Sequence, residues 1–197
     1  MILPGVYKTF VDRWGANNRA GCWIISDLHL GEQDLKDAFP MRPSDEELIK
    51  RINQKVGKNG VLICLGDVGD IELAKQLKGY KILCCGNHDA GISNYEEVFQ
   101  EIYQGALIIG EKLILSHEPI PGIKWAVNLH GHVHDPKAKS DKYHFNFCVD
   151  RINYEPVNFI QWLKEGGHTK NIQTIHRATI DRATLNVHGR KRLNKKK

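Results

Sequence analysis

Residues 22–29 read Cys22-Trp23-Ile24-Ile25-Ser26-Asp27-Leu28-His29, a short apolar run that ends abruptly in a carboxylate and an imidazole. The same form returns at Val61-Leu62-Ile63-Cys64-Leu65, which runs into Gly66-Asp67, and at Lys81-Ile82-Leu83-Cys84-Cys85, which runs into Gly86-Asn87-His88-Asp89. Runs this short, rich in Ile, Val and Cys and stopped by glycine, read as buried strands. Three strands therefore deliver metal-type side chains at their C-terminal ends.

Between the first two runs, Ser44 and Glu47 have capping-box spacing after Pro43, and Leu48, Ile49, Ile52 and Val56 repeat at helical intervals up to Gly57. That spacing predicts a helix over 45–56. A shorter helix is predicted over 71–77 and another over 94–103, with Val98, Phe99 and Ile102 on one face. Strand and helix alternate through residue 103, as in an α/β sheet with right-handed crossovers. The second half changes character. Leu107-Ile108-Ile109 and Leu113-Ile114-Leu115, separated only by Gly110-Glu111-Lys112, predict a tight hairpin leading into Ser116-His117. Further apolar runs precede His130-Gly131-His132-Val133-His134 and occupy 143–149.

The composition fits one ordinary domain with extensions. With 197 residues, 41% hydrophobic and 26% charged, disorder, collagen and coiled coil are excluded. A chain of this length buries roughly 70% of its unfolded surface, so it needs no structural metal or disulfide to hold a core, and a metal site here reads as catalytic. The expected boundaries are an N-terminal extension over 1–21, a domain over 22–165 and a C-terminal extension with a basic tail over 166–197. Residues 190–197 hold six cations, which leaves about −1 of the net +5 for the rest. The body is thus not built as a polyanion-binding surface, and the tail reads as a solubilising end. Tyr7, Lys8, Phe10, Arg13, Trp14 and Arg19 interleave aromatics with cations, a pattern that either stacks on bases or packs on the domain edge. Five cysteines without C-x-x-C spacing suit buried thiols in a reducing compartment. No signal-peptide pattern and no apolar run near the ~20 residues of a membrane span is present, so the expected location is cytoplasmic, with no membrane partner.

Collected in order, the run-end residues are Asp27, His29, Asp67, Asn87, His88, Asp89, His117, His132 and His134. Imidazoles with carboxylates and a carboxamide, and no thiolate, suit Mn, Fe, Zn or Ni in a catalytic setting. The D-x-H and H-x-H pairs have strand spacing, which predicts that both members of each pair lie on one side of an extended backbone. The groups exceed what one four- to six-coordinate ion can use, so the count points to two ions sharing a bridging carboxylate. Two ions about 3.5–4 Å apart can lower the pKa of a bridging water towards about 7 and neutralise a phosphoryl oxygen during in-line attack. Such chemistry also needs a proton donor for the leaving alkoxide, and a histidine beside the metals but not on them would serve.

Asp27-x-His29, Gly66-Asp67, Gly86-Asn87-His88-Asp89, Ser116-His117 and Gly131-His132-Val133-His134 together resemble the signature of the calcineurin-like metallophosphoesterases. Arg42-Pro43 and the segments 65–68 and 148–157 are similar to a small bacterial and phage-type branch whose substrates are largely unassigned. The resemblance implies an α/β fold, a four-layer αββα sandwich with both metals at the sheet ends. It implies Asp27, His29, Asp67 and His134 as ligands of a first divalent metal, with Asp67 bridging to a second that is completed by Asn87, His117 and His132. Mn is the expected metal, with Fe, Zn or Ni as alternatives. His88 would stabilise the transition state and protonate the leaving group, oriented by Asp89. The implied activity is a phosphodiesterase using a metal-bridging hydroxide. A phosphomonoesterase or nucleotide hydrolase at the same site is the alternative, and a non-catalytic scaffold or nucleic-acid-binding protein the other. The expected partner is a phosphate ester, a nucleotide or nucleic acid among them. Arg42, Lys124 and Arg151 are candidate contacts to a phosphate oxygen, and His130 and Trp125 could line the pocket or pack. The oligomeric state is left open.

Overall fold

The structure is a computed structural model that describes residues 21–89, 92–109, 113–159 and 161–162. Residues 1–20 and 163–197, with the aromatic–cation segment and basic tail, lie outside the described residues.

The three apolar runs form β1 (Cys22–Ile25), β2 (Val61–Cys64) and β3 (Tyr80–Cys84), all parallel. β4 (Glu101–Tyr103) adds parallel to β3 and β9 (Val157–Asn158) adds antiparallel to β1, giving the order β4-β3-β2-β1-β9. The second half supplies β5 (Leu107–Ile109), β6 (Leu113–Leu115), β7 (Val127–His130) and β8 (His144–Asn146) in sequential order. β5 and β6 are the expected antiparallel hairpin, whereas β6, β7 and β8 run parallel. Both sheets are therefore mixed.

Strand alternation sorts the side chains into two cores. Cys22, Ile24, Val61, Ile63, Ile82 and Cys84 face the second sheet and pack with Leu113, Leu115, Val127 and Leu129. Ile25, Leu62, Cys64 and Leu83 face the other way, onto Leu48, Ile49, Ile52 and Val56 of a helix. The outer face of the second sheet is covered by Ile123 and Ala126 packed on Ile114, beside Trp125. Trp162 closes the inter-sheet core on Phe145, Phe147 and Phe159.

Four short helices connect the first-half strands: α1 (Gln33–Ala38), α2 (Asp45–Val56), α3 (Ile71–Ala74) and α4 (Ile92–Tyr95). α2 has the expected bounds, with Ser44 Oγ accepting from the Glu47 amide at 3.3 Å and Gly57 at φ 62° closing it. The reciprocal half of the capping box is not used, because the Glu47 carboxylate pairs with Lys50 and Arg51. α3 stops at Ala74, short of the predicted Leu77.

The predicted helix over 94–103 is corrected. Tyr95 ends α4, its carbonyl accepts from Val98 and Phe99, and the Gln100 amide then bonds the Lys81 carbonyl to start β4. Val98 and Phe99 are buried as expected, but Ile102 pairs with Leu83 in the sheet. The exposed ladder edge of β3 satisfies three further residues here, and a continued helix would leave that edge bare.

Candidate metal centre

Asp27 and His29 follow β1, Asp67 follows β2, Asn87 to Asp89 follow β3, His117 follows β6 and His132 and His134 follow β7. Parallel strands end on one side of a sheet, so these connections meet at a single edge of the sandwich. The backbone there is not extended, which corrects the expectation for D-x-H and H-x-H. Asp27 (φ 60°), His29 (φ 43°), Asp67 (φ 54°) and His132 (φ 66°) all occupy the left-handed region. The loops after β1 and β2 instead run side by side, with the Asp27, His29 and Leu30 amides donating to the carbonyls of Gly66, Asp67 and Val68 at 2.9–3.0 Å. These left-handed turns, rather than strand alternation, aim the side chains inward.

Two of the motif glycines are required by close approach. A Cβ on Gly86 would lie 2.1 Å from Asp67 Oδ1, and one on Gly131 would lie 1.9 Å from Ser26 Oγ and 2.3 Å from Asp27 Oδ2. The carboxylates occupy the space that any side chain would need.

Three imidazoles are held by one nitrogen and present the other. His29 Nδ1 lies 2.9 Å from Glu32 Oε2, His117 Nδ1 2.8 Å from the Leu65 carbonyl, and His134 Nδ1 2.7 Å from Asp150 Oδ2. Each partner can only accept, so each Nδ1 carries a proton, and in the neutral ring Nε2 is the nitrogen with the lone pair. His134 Nε2 faces Asp27 Oδ1 at 3.5 Å, and His29 Nε2 faces Asp67 Oδ2 at 3.4 Å, buried and without a hydrogen-bond partner. His117 Nε2 meets Asn87 Oδ1 at 2.8 Å, His132 Nδ1 at 3.1 Å and Asp67 Oδ2 at 3.3 Å. Nitrogen and oxygen lone pairs thus crowd one another around Asp67. This donor set fits cations, and the Nδ1–H anchors are the arrangement that orients metal-ligating histidines. Asp27, His29 and His134 form one group with ligand atoms within 4.8 Å, and Asp27, Asp67 and His117 another.

The carboxylates differ in environment. Burial pushes the Asp27 carboxyl above its usual range, against the opposing effects of Ser26, His117, His134 and the His132 amide. Asp67 is also penalised by burial, but hydrogen bonds from the His117 ring and the His88 amide outweigh it, so it is held below the usual range. His117 is correspondingly raised, its burial being outweighed by Asp67.

The remaining predicted residues divide. The His88 ring is exposed, its centroid 5.2 Å from that of His29, while its amide donates to Asp67 Oδ1. Asp89 does not serve as the expected orienter of that ring. Its oxygens accept from the amides of Asp67 (2.8 Å), Gly86 (2.8 Å) and Val68 (2.9 Å). Arg42, expected on the substrate, is buried and donates to the carbonyls of Asp27 and Leu28 and to Asp150. Lys124 is exposed, and Arg151 donates to the Ala138 carbonyl. Arg151 also lines a cavity of about 300 Å³ with His130, Val133, Asn146 and His144. His130 donates to the Gly131 carbonyl, and burial pushes its pKa down to about 4. Trp125 packs on the outer face of the second sheet.

Sequence reading missed the anchors. Glu32 stands three residues after His29, a spacing that could have suggested it. Asp150 and the Leu65 carbonyl carry no such signal, since both reach the site only through the fold. Cys148 also sits at this edge, its Sγ 3.5 Å from His134 Nδ1, and burial keeps it a thiol by raising its pKa.

No family model and no curated protein matches the chain. Among solved structures, a protein of unknown function from Aquifex aeolicus shares 24% identity over 75% of this chain and 100% of its own, with a TM-score of 0.64. That likeness shows a shared fold. The nuclease MPE of Pseudomonas putida shares 23% identity over 57% of this chain and 61% of its own, with a TM-score of 0.41. Among the described residues no helix is long and apolar enough to cross a membrane.

Proposed function

We propose that the chain is a calcineurin-like metallophosphoesterase, a dinuclear metal-dependent hydrolase of phosphate esters that acts on diesters. The observation that carries this reading is the convergence of imidazole ring nitrogens with Asp27, Asp67 and Asn87, three of the imidazoles anchored through Nδ1. Asp27, His29, Asp67 and His134 would hold one divalent ion and Asp67, Asn87, His117 and His132 the other, with Mn the expected metal. Ions bound there supply an activated hydroxide and neutralise phosphoryl charge.

The chain's own residues do the rest. His88 is exposed beside His29 with its backbone fixed on Asp67, which suits a ring that protonates the leaving oxygen. The cavity lined by Arg151 is also lined by Val133, the residue between His132 and His134, and would be the place for the second ester group that distinguishes a diester from a monoester. A nucleotide or nucleic acid supplies such a group. Five free cysteines, four of them buried, support a reducing, cytoplasmic setting. Residues 22–165 would form the catalytic domain, and the segments on either side its extensions.

The test is hydrolysis of bis(p-nitrophenyl) phosphate beside p-nitrophenyl phosphate by metal-stripped protein resupplied with Mn. Turnover of the diester that is lost in Asp67→Ala and falls about 10²–10⁴-fold in His88→Ala is the expected result. Metal-independent turnover, or binding of two ions with neither ester hydrolysed, would overturn it. Preference for the monoester would move the assignment to a phosphomonoesterase.

A further inference from the structure

The loop that presents Asp27 and His29 and the loop that presents His134 are far apart in sequence and are joined by one buried ion pair. Arg42 and Asp150 have side chains 2% and 1% exposed, with Arg42 Nη1 3.1 Å from Asp150 Oδ2. The other arm of the guanidinium, Nη2, donates to the Asp27 carbonyl at 2.6 Å and the Leu28 carbonyl at 2.5 Å. The same Asp150 Oδ2 accepts from His134 Nδ1 at 2.7 Å. Arg42 is itself fixed by the turn in which its amide donates to the Phe39 carbonyl, and the Phe39 ring packs on the His134 ring at 5.6 Å.

We propose that Arg42 and Asp150 are positioning residues that set the distance and orientation between Asp27–His29 and His134, and so set the affinity of the first metal site selectively. The inference rests on the reading of those three residues as ligands. Its physical basis is the planar fork. Only a guanidinium reaches two carbonyls and a carboxylate together, and the two carbonyls belong to a stretch that is left-handed at Asp27 and His29, whose amides are taken by the loop after β2 while the Asp27 and Leu28 carbonyls meet the guanidinium. The second site has its own anchor, the Leu65 carbonyl on His117, and the hydrogen bonds of Arg42 and Asp150 go to Asp27, Leu28 and His134 and not to Asn87, His117 or His132.

The test is Mn(II) binding by the full chain, followed by the electron paramagnetic resonance of free Mn(II), in the wild type, Asp150→Asn and Arg42→Lys. The wild type is expected to bind two ions. Asp150→Asn, nearly isosteric, is expected to weaken one ion 10–100-fold and leave the other within threefold. His134→Ala should cost less in the Asp150→Asn background than in the wild type, since part of that ligand's contribution is already lost, whereas adding His132→Ala to Asp150→Asn should weaken the other ion as much as it does in the wild type. Arg42→Lys, which keeps the charge and loses the fork, is expected to weaken the same ion about 3–10-fold, and it carries the test if Asp150→Asn does not fold. Unchanged affinities, or both ions weakened equally, would overturn the proposal while leaving the two-metal reading intact. A wild type that binds no ion would remove the reading on which it rests.

Discussion

Replacing Asp89 by alanine separates two roles for this residue, orientation of His88 and support of the backbone. In the structure the carboxylate accepts from three amides, those of Asp67, Gly86 and Val68, at 2.8–2.9 Å. Each partly buried N–H left without an acceptor costs about 1–3 kcal/mol, so Asp89→Ala is expected to destabilise by roughly 4 kcal/mol, about 8–16 °C in Tm for a chain of this size. Asp89→Asn keeps one oxygen. That oxygen can take the amides of Asp67 and Gly86, while its NH₂ is turned against the Val68 amide, for a loss of roughly 1–2 kcal/mol. The assay is thermal and urea unfolding of the full chain in excess chelator, which removes any contribution from bound metal. His88→Ala, truncating an exposed ring, is expected to unfold with the wild type in the same buffer. If Asp89→Ala unfolds at the wild-type midpoint in chelator while its turnover falls as far as that of His88→Ala, the backbone role is refuted and the orienting role stands.

Three further outcomes are expected. Gly131→Ala drives a methyl group to within 2.3 Å of both Ser26 Oγ and Asp27 Oδ2, so it should cost roughly 1–3 kcal/mol in chelator and at least tenfold in Mn(II) affinity; wild-type values in both would show that the loop moves freely. Burial lowers the His130 pKa from the usual 6.5 to about 4, so the unfolded chain takes up this proton first as pH falls through 6.5, and folded stability drops until about pH 4 is reached. Urea unfolding in chelator should therefore show an acid loss of up to roughly 3 kcal/mol that His130→Asn flattens, and parallel pH profiles would contradict this. Cys85, half-buried, is pushed up to about 11, so its alkylation by iodoacetamide in folded protein should be slow at pH 8 and rise about tenfold per pH unit towards 11; mass spectrometry finding fast labelling at pH 8 would refute it.

The elements that were legible in the sequence are those set by local chemistry. The capped helix over 45–56, the short apolar strands and the 107–115 hairpin needed only periodicity, a cap and a turn. The gathering of Asp27, His29, Asp67, Asn87, His117, His132 and His134 at one edge was legible because parallel strands end on the same side. What sequence could not show was decided by competition in three dimensions. Glu101-Ile102-Tyr103 continued a helical pattern, yet the open edge of β3 offered it a ladder. Arg42 and Asp89 carry the charges expected of substrate and catalytic contacts, yet each found backbone carbonyls or amides first. A lone charged residue beside a motif does not reveal whether its partner is a ligand or the main chain.

That two charged groups beside the centre serve its backbone follows from how the centre is made. Four residues in left-handed conformations cost about 1–3 kcal/mol each, and they persist only where surrounding contacts over-determine them. Arg42 holds the carbonyls of Asp27 and Leu28, and Asp89 holds the amides on either side of Asp67, so each turn bearing a central carboxylate is braced by a charge of its own. The inter-sheet core and the helix-side core are built from apolar side chains, none of them a member of the centre. The crowding of lone pairs around Asp67 is thus borne by a scaffold whose stability lies elsewhere, and a cation entering there relieves local repulsion instead of completing the fold.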